Sequence, residues 1–180
     1  MDPLNSYAIV SYVAGPVARF AERLRQEMDP GCPHRAHITI LPPRPLLCSP
    51  SEAVEFARHL VAQFDPFDVQ LAAVEQFPKT QVIYLALTAG SLELTAMHDV
   101  LNTGPLGQQE ANVYVPHITL GQQLPPGTFE RSLEASQRRW AAFGSPPRLR
   151  IDAATFVQQQ ANGIWYDLAE LSLGHVPAVG

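Results

Sequence analysis

Two short stretches carry the residues whose types and spacing suit acid–base chemistry. The first is His37-Ile38-Thr39-Ile40, and the second, 80 positions later, is His117-Ile118-Thr119-Leu120. Imidazole has an unperturbed pKa of about 6.5, so near neutral pH one ring can accept a proton while a second donates one. A nearby threonine hydroxyl can donate a hydrogen bond to a phosphate oxygen. The pair favours chemistry on a phosphodiester, where a nucleophile loses a proton and an alkoxide must leave.

Each motif has the alternation of a half-buried strand. Side chains on a strand point to opposite faces in turn, so the histidine and threonine of a motif share one face and its aliphatic residues share the other. We therefore expect both aliphatic faces to be buried and both polar faces to meet across a cleft.

Other chemistries fit these residues less well. His34 and His37 would face opposite ways on a strand, and no Asp or Glu flanks either motif, so a zinc site would need ligands from elsewhere. Cys32 and Cys48 form neither a metal spacing nor a disulfide framework, and we expect free thiols. We expect no metal and no cofactor. Two alternatives stay open: ordinary strands whose His and Thr satisfy local hydrogen bonds, or an inactive site that still binds a phosphate ligand.

The elements that must position the motifs follow from hydrophobic periodicity and turn residues. The predicted order is a strand over 6–13, a helix over 16–28, the first motif strand over 34–41, a helix from Ser49 to Phe64, strands over 67–76 and 80–88, a helix opening at Gly90-Ser91, the second motif strand, a helix after Thr128, and strands over 148–158 and 164–173.

Local signals mark several boundaries. Ser49 and Glu52 match a capping box with Pro50 at the first helical position, and Thr128 is a candidate cap for the last helix. The prolines at 42, 43 and 45 predict a stiff loop that carries Arg44. Asn162-Gly163 predicts a hairpin turn.

The predicted run of motif strand, helix and hairpin occurs twice, which indicates a duplicated unit. We expect an α+β fold in one bilobal domain over residues 1–180. Each pseudo-symmetric lobe should hold a mainly antiparallel sheet with helices on its outer face, and the active-site cleft should lie between the lobes.

Composition limits the partners. Of the 180 residues 46% are hydrophobic and the net charge is -5, with Lys79 as the only lysine and arginines spread along the chain. No basic cluster is present, which argues against long nucleic acid and leaves a small ligand with one or two phosphates. We see no signal peptide in residues 1–20 and no apolar run long enough for a membrane span, so we expect a cytoplasmic protein.

Two His-x-Thr motifs half a chain apart resemble those of the 2H phosphoesterase superfamily. The Pro116-His117-Ile118-Thr119-Leu120 form is similar to that of its 2'-5' RNA ligase-like branch. The resemblance implies a two-lobed fold without a metal, which opens 2',3'-cyclic phosphates to 2'-phosphates or cleaves or ligates 2'-5' linkages. It also implies that His37 and His117 are the catalytic pair and that Thr39 and Thr119 bind phosphate. Which histidine is acid and which is base stays open, as do hydrolysis against ligation and the oligomeric state.

Further residues are weaker candidates. The substrate we expect is a small phosphodiester, a cyclic nucleotide or a short RNA end, with a non-RNA metabolite as an alternative. Arg44 would reach the phosphate from its loop, and Tyr114 or Trp165 would stack on a base, although both aromatics also suit a core or rim position. The remaining histidines fit a packed core position, His98, or the surface, His59 and His175.

Overall fold

The computed structural model describes residues 5–144, 148–159 and 163–174, so His175 and Asn162 lie outside the described part. Within it the strands are β1 Ser6–Tyr12, β2 His37–Pro45, β3 Phe67–Phe77, β4 Val82–Leu87, β5 His117–Gly121, β6 Arg148–Ile151, β7 Ala153–Gln159 and β8 Trp165–Ser172. The α-helices are α1 Gly15–Met28, α2 Pro50–Val61, α3 Ser91–Leu101 and α4 Phe129–Ala141, and a short 3-10 turn covers Gly104–Leu106. None of these helices is long and apolar enough to cross a membrane.

The described strands form one antiparallel sheet in the order β6-β3-β4-β5-β2-β1-β7-β8. The α+β class is confirmed. The two expected sheets are joined edge to edge through β5 and β2, which are the motif strands. We call β2-β1-β7-β8 the first lobe and β5-β4-β3-β6 the second lobe.

Asp152 alone connects β6 to β7, although these strands lie far apart in the sheet order. Because one residue cannot span a flat sheet of this width, the sheet must curl.

The helices cross between the lobes. Helix α1 follows β1 of the first lobe but packs on β5, and α3 follows β4 of the second lobe but packs on β2. Each motif strand is therefore covered by the helix that leads into the other motif strand. This exchange fixes the two motif strands relative to each other.

The motif strands alternate as their sequences predict. Ile38 and Ile40 of β2 and Ile118 and Leu120 of β5 are fully buried at 0% exposure in the main core. Aliphatic residues of the other strands and the inner faces of the helices complete that core. Burial of four such side chains stabilises the fold by about 1.5–3 kcal/mol each.

The proline-rich stretch after the first motif is not a loop, contrary to our expectation. Strand β2 continues to Pro45, with Ser6 opposite Pro45 and Tyr7 opposite Arg44. Proline is tolerated here because β5 pairs with β2 only at Ile38, so residues 42–45 have a partner strand on one side alone. Register shifts in β1–β2 pairing show that this segment is bulged.

The predicted strand over 148–158 is also wrong, because it is two strands. Residues up to Ile151 pair with β3 in the second lobe, and those from Ala153 pair with β1 in the first. The single residue between them is not a glycine or proline, so no turn signal marks the change of partner.

Two predicted helix caps have different outcomes. The capping box of α2 is confirmed, since the Ser49 side chain accepts from the Glu52 backbone N–H and the Glu52 side chain accepts from the Ser49 backbone N–H. Thr128 does not cap α4. Its hydroxyl donates instead to the Pro125 carbonyl at 2.7 Å.

A buried arginine of α1 joins the segments that carry the two motifs. Arg25 is 6% exposed, and its guanidinium donates to the Thr119 carbonyl and to the His34 and Arg35 carbonyls at 3.1 and 3.3 Å. One side chain thus holds the middle of the second motif and the segment just before the first. Burial lowers the pKa of Arg25, but the three carbonyls accept from both of its terminal nitrogens.

We predict that Arg25→Ala lowers the free energy of unfolding by about 2–3 kcal/mol, because three hydrogen bonds from a charged donor are lost. Urea denaturation checks this. Arg19→Ala is the matched control, since Arg19 is exposed on the same helix. Equal unfolding midpoints for the two variants would contradict the role of Arg25 in joining the two motif segments.

Candidate active site

All four motif residues predicted to do chemistry line one cleft. His37, Thr39, His117 and Thr119 contribute to its wall, and its volume is about 880 Å³. Each of the four is partly buried, whereas the aliphatic residues between them are buried. The polar faces of the two motif strands therefore meet in a shared space.

The register of β2 against β5 sets how the four residues are arranged. Ile38 lies opposite Ile118 in an antiparallel pair. It follows that His37 lies opposite Thr119 and that Thr39 lies opposite His117. The two histidines are then diagonal neighbours on one face, a relation for which the usual separation is about 7–8 Å. Each imidazole therefore lies beside the threonine hydroxyl of the other motif, and we call this arrangement of the four side chains crosswise.

Both imidazoles are oriented by a hydrogen bond from Nδ1 to a backbone carbonyl. His37 Nδ1 lies 2.7 Å from the Arg35 carbonyl, and His117 Nδ1 lies 2.7 Å from the Val115 carbonyl. A carbonyl only accepts, so each Nδ1 carries the hydrogen and each neutral ring keeps its lone pair on Nε2. Within the described residues, no protein group hydrogen-bonds to either Nε2. The site therefore presents two equivalent nitrogens that can accept or, once protonated, donate a proton.

Burial keeps both rings neutral. Desolvation, opposed by the bond to the Arg35 carbonyl and aided by the charge of the nearby Arg25, lowers the pKa of His37 to about 4. The pKa of His117 is lowered by the same cause, although its bond to the Val115 carbonyl opposes the shift. Since loss of water disfavours the imidazolium, an anion between the rings would have the opposite effect and raise both pKa values.

The two rings have different surroundings. His117 lies 5.1 Å from the Phe77 ring and 5.1 Å from the Tyr84 ring, and those two rings stack on each other at 4.2 Å. The His37 and Tyr12 rings are nearly perpendicular, and their centroids lie 6.5 Å apart. The second-lobe side of the site is thus packed with aromatic rings.

Three basic residues of the cleft were not predicted as site residues from the sequence. His34, Arg35 and Arg25 all line the cleft. His34 was expected to point away from His37, but their rings lie 6.5 Å apart, because His34 precedes β2 and strand alternation does not apply to it. Desolvation lowers the pKa of His34 as well. Its spacing from His37 was the available signal, and the assumed strand start at 34 concealed it.

The weaker candidates Arg44 and Tyr114 do not line the cleft. Arg44 is 5% exposed and its guanidinium donates to Asn102 Oδ1 at 2.6 Å, to the Leu106 carbonyl and to Glu110. It therefore supports the 102–110 segment and does not face the motif hydroxyls. The expectation that it reaches a phosphate from a loop is wrong, because its segment is a strand.

Tyr114 belongs to the same buried network. Its hydroxyl donates to the Thr39 carbonyl at 2.8 Å, and its ring stacks on His98 at 4.1 Å. His98 is 5% exposed, which confirms its core position, and its Nε2 lies 3.1 Å from Glu110. The Glu110 carboxylate thus links the His98 ring to the Arg44 guanidinium. Tyr114 touches the backbone of the first motif but not the space between the histidines.

Cysteines and acidic residues do not build a second centre. Cys32 and Cys48 are free and partly buried. Among the described residues, no group of three or more His, Cys, Asp or Glu side chains is placed to hold a metal ion.

Solved structures share the curled sheet. The crystal structure of Escherichia coli LigT complexed with phosphate has a TM-score of 0.62 at 14% identity, covering 97% of this chain and 100% of that one. Crystal structures of the same protein complexed with 3'-AMP and of TT0787 from Thermus thermophilus give TM-scores of 0.62 and 0.63. These two cover 96% and 94% of this chain and 99% of each of the others, at 13% and 18% identity. The likeness supports the class of fold, an α+β protein with a curled antiparallel sheet.

Sequence comparison gives the family. The profile of the 2'-5' RNA ligase superfamily matches residues 13–163, so the chain belongs to that superfamily. A protein of Halalkalibacterium halodurans named "Putative phosphoesterase" is 27% identical over an alignment of 178 residues that covers 94% of this chain and 98% of that protein. A similarly named protein of Geobacillus sp. strain WCH70 is 29% identical over 168 residues, covering 88% of this chain and 91% of that protein.

The lowered pKa of His37 makes stability depend on pH. Between pH 6.5 and about 4 the unfolded chain takes up a proton that folded His37 does not, so stability falls as the pH drops through this window. We predict that His37→Asn reduces the loss of unfolding free energy between pH 7.5 and pH 5 by about 2 kcal/mol. Denaturant titrations at both pH values measure it.

His59→Asn is the control for this effect, because His59 is exposed on α2. An identical pH dependence in wild type and His37→Asn would show that the ring is not kept neutral by the fold.

Proposed function

We propose that this chain is a metal-independent phosphoesterase that opens 2',3'-cyclic phosphates or acts on 2'-5'-linked ribonucleotides, with His37 and His117 as acid and base. The observation that carries the proposal is the crosswise arrangement in one cleft of two imidazoles held through Nδ1 and two threonine hydroxyls. The phosphoesterase names of the relatives support the same class of reaction.

The phosphate would lie between the two rings. Within the described residues, the hydroxyls of Thr39 and Thr119 have no protein hydrogen-bond partner, and both line the cleft. They are available to donate to the two non-bridging oxygens of a diester. Donors fixed in advance stabilise the charge that grows on these oxygens in the transition state.

Binding of the anion also prepares the acid. With both pKa values lowered, the empty cleft holds two neutral rings near pH 7. A diester carries one negative charge, and its field in a partly dry cleft favours protonation of one ring. The other ring stays neutral and keeps its lone pair on Nε2.

Hydrolysis of a cyclic phosphate then needs two proton transfers. The neutral ring removes a proton from water through Nε2 as the water oxygen bonds to phosphorus. The bond from phosphorus to the ribose 3' oxygen breaks, and the protonated ring gives its Nε2 proton to that oxygen. The products are a 2'-phosphate and a free 3' hydroxyl, and the two rings have exchanged protonation states.

The size of the substrate follows from charge and space. The chain has no basic cluster and a net charge of -5, so the many phosphate contacts of long RNA are not available. A cyclic nucleotide or a short RNA end fits the cleft better. LigT, in its solved structures, is complexed with phosphate and with 3'-AMP, ligands of this class.

The free thiols of Cys32 and Cys48 fit a reducing compartment, and we place the protein in the cytoplasm.

We predict that 2',3'-cyclic AMP is converted to 2'-AMP in the presence of EDTA, and that His37→Ala and His117→Ala each reduce kcat by about 10²–10⁴-fold, because each removes a proton-transfer group. Chromatography of the products with steady-state rates measures both. His59→Ala should retain wild-type rates.

Binding of 2'-AMP without turnover by the wild type would instead favour a nucleotide-binding module. A 3'-phosphate product, or activity that survives His37→Ala, would contradict the mechanism.

The threonines give a second test. We predict that Thr39→Val and Thr119→Val each lower kcat/KM by about 10–100-fold, because a hydrogen bond to a charged phosphate oxygen is lost while the side-chain shape is kept. Thr39→Ser, which retains the hydroxyl, should stay within a few-fold of wild type. Unchanged kcat/KM in both valine variants would mean that the hydroxyls do not bind the phosphate.

A further inference from the structure

The cleft extends past the motif strands over the first lobe, and residues of the segments 28–35 and 121–124 also line it. Toward the first lobe it is lined by residues of β1, β7 and β8, whereas none of the described residues of β3 or β4 lines it. On the second-lobe side the stacked rings of Phe77 and Tyr84 pack against His117. A ligand that is larger than a phosphate can therefore extend over the first lobe but not over β3 and β4.

The open side has an apolar floor, which we call the shelf. Small side chains of β1 and β7 form it: Ala8, Val10 and Val157 are 3%, 5% and 6% exposed and pack together apart from the main core. Tyr12 and Trp165 pack against these three residues from the rim. The shelf begins beside the first motif, because Tyr12 lies opposite His37 in the β1–β2 pair.

The two rim aromatics are not equally available. The Arg35 guanidinium lies 3.7 Å over the centre of the Tyr12 ring, and the Tyr12 hydroxyl donates to Asp167 at 2.5 Å. Arg35 also donates to Asp167 at 3.4 Å, so Tyr12 is covered on one face and fixed at its end. Within the described part of the chain, no aromatic ring stacks on the Trp165 indole. Of these two rim rings, Trp165 is thus the one that a ligand can reach.

We propose that the shelf binds the planar aromatic base of a nucleotide whose phosphate lies between His37 and His117, with the base stacked on Trp165. This rests on the proposed function and specifies the substrate as a nucleotide with the base on the first-lobe side. A floor of methyl groups beside an indole favours a flat group with an apolar face, and every nucleobase has one. The polar edge of the base meets Arg35 and Asp167 at the same rim.

The two tryptophans of the chain allow a direct binding test. Trp140 is 8% exposed in the core, where its indole donates to the Ala72 carbonyl, so only Trp165 should respond to a ligand on the shelf. The probes are 2'-AMP, which carries a base, and inorganic phosphate, which does not. We expect 2'-AMP to quench the intrinsic fluorescence and to bind about 5–150-fold more tightly than phosphate, the range of one base–aromatic stack.

Substitutions separate stacking from folding. Trp165→Ala should remove the preference for 2'-AMP over phosphate while leaving phosphate affinity unchanged. Trp165→Phe should keep most of the preference and lose the quenching. Leu168→Ala, on the same strand and outside the residues that line the cleft, is the control and should change neither.

The outcomes distinguish this inference from the proposed function. Two results would contradict base binding on the shelf even if cyclic nucleotides are hydrolysed. One is equal affinity of the wild type for 2'-AMP and phosphate, and the other is an equal loss of affinity for both ligands in Trp165→Ala. Turnover is followed separately with 2',3'-cyclic AMP and the base-free glycerol 1,2-cyclic phosphate, and a wild-type kcat/KM equal for the two would also overturn the shelf. Base-dependent binding without any turnover would contradict the proposed function alone.

Discussion

The whole arrangement depends on one contact, the antiparallel pairing of β2 with β5 at Ile38 and Ile118. Strand side chains alternate with a period of two, so a slip by one residue would move either motif's histidine and threonine into the core and its aliphatic residues into the cleft. With the observed register, two His-x-Thr sequences become one crosswise site. The buried isoleucines and the polar cleft are thus two consequences of the same pairing.

Only one residue pair joins these strands directly, so other groups must hold the register. Arg25 fixes the Thr119 carbonyl and the segment before His37 from one side. On the other side, Tyr114 donates to the Thr39 carbonyl. Both bind backbone atoms and leave the hydroxyls and Nε2 atoms of the site unoccupied. The framework that desolvates the histidines is therefore held by bonds that do not use the groups meant for a ligand, which suits an electrostatically prepared site.

The motifs could be located from the sequence because they obey a local rule. Alternation around His37 and His117 and the capping box at Ser49 depend on neighbouring residues alone. The errors came from long-range pairing. Residues 42–45 are strand because they pair with β1, and their prolines are tolerated because β5 leaves their other side without a partner. The strand over 148–158 divides at Asp152 because its two parts belong to opposite lobes. Arg44 was misplaced for the same reason. The shelf could not be predicted, since its floor joins β1 and β7, which are about 150 positions apart.

The central claim is that two imidazoles, each with hydrogen on Nδ1, share one anion. Nitrogen-15 NMR of the histidine side chains, assigned with single-histidine variants and titrated with pH in the absence and presence of inorganic phosphate, tests it most directly. The account predicts that His37 and His117 both show the Nδ1-H form with lowered pKa values in the free protein, and that phosphate raises both. A pKa that moves for only one ring, or hydrogen on Nε2 of either neutral ring, would contradict it.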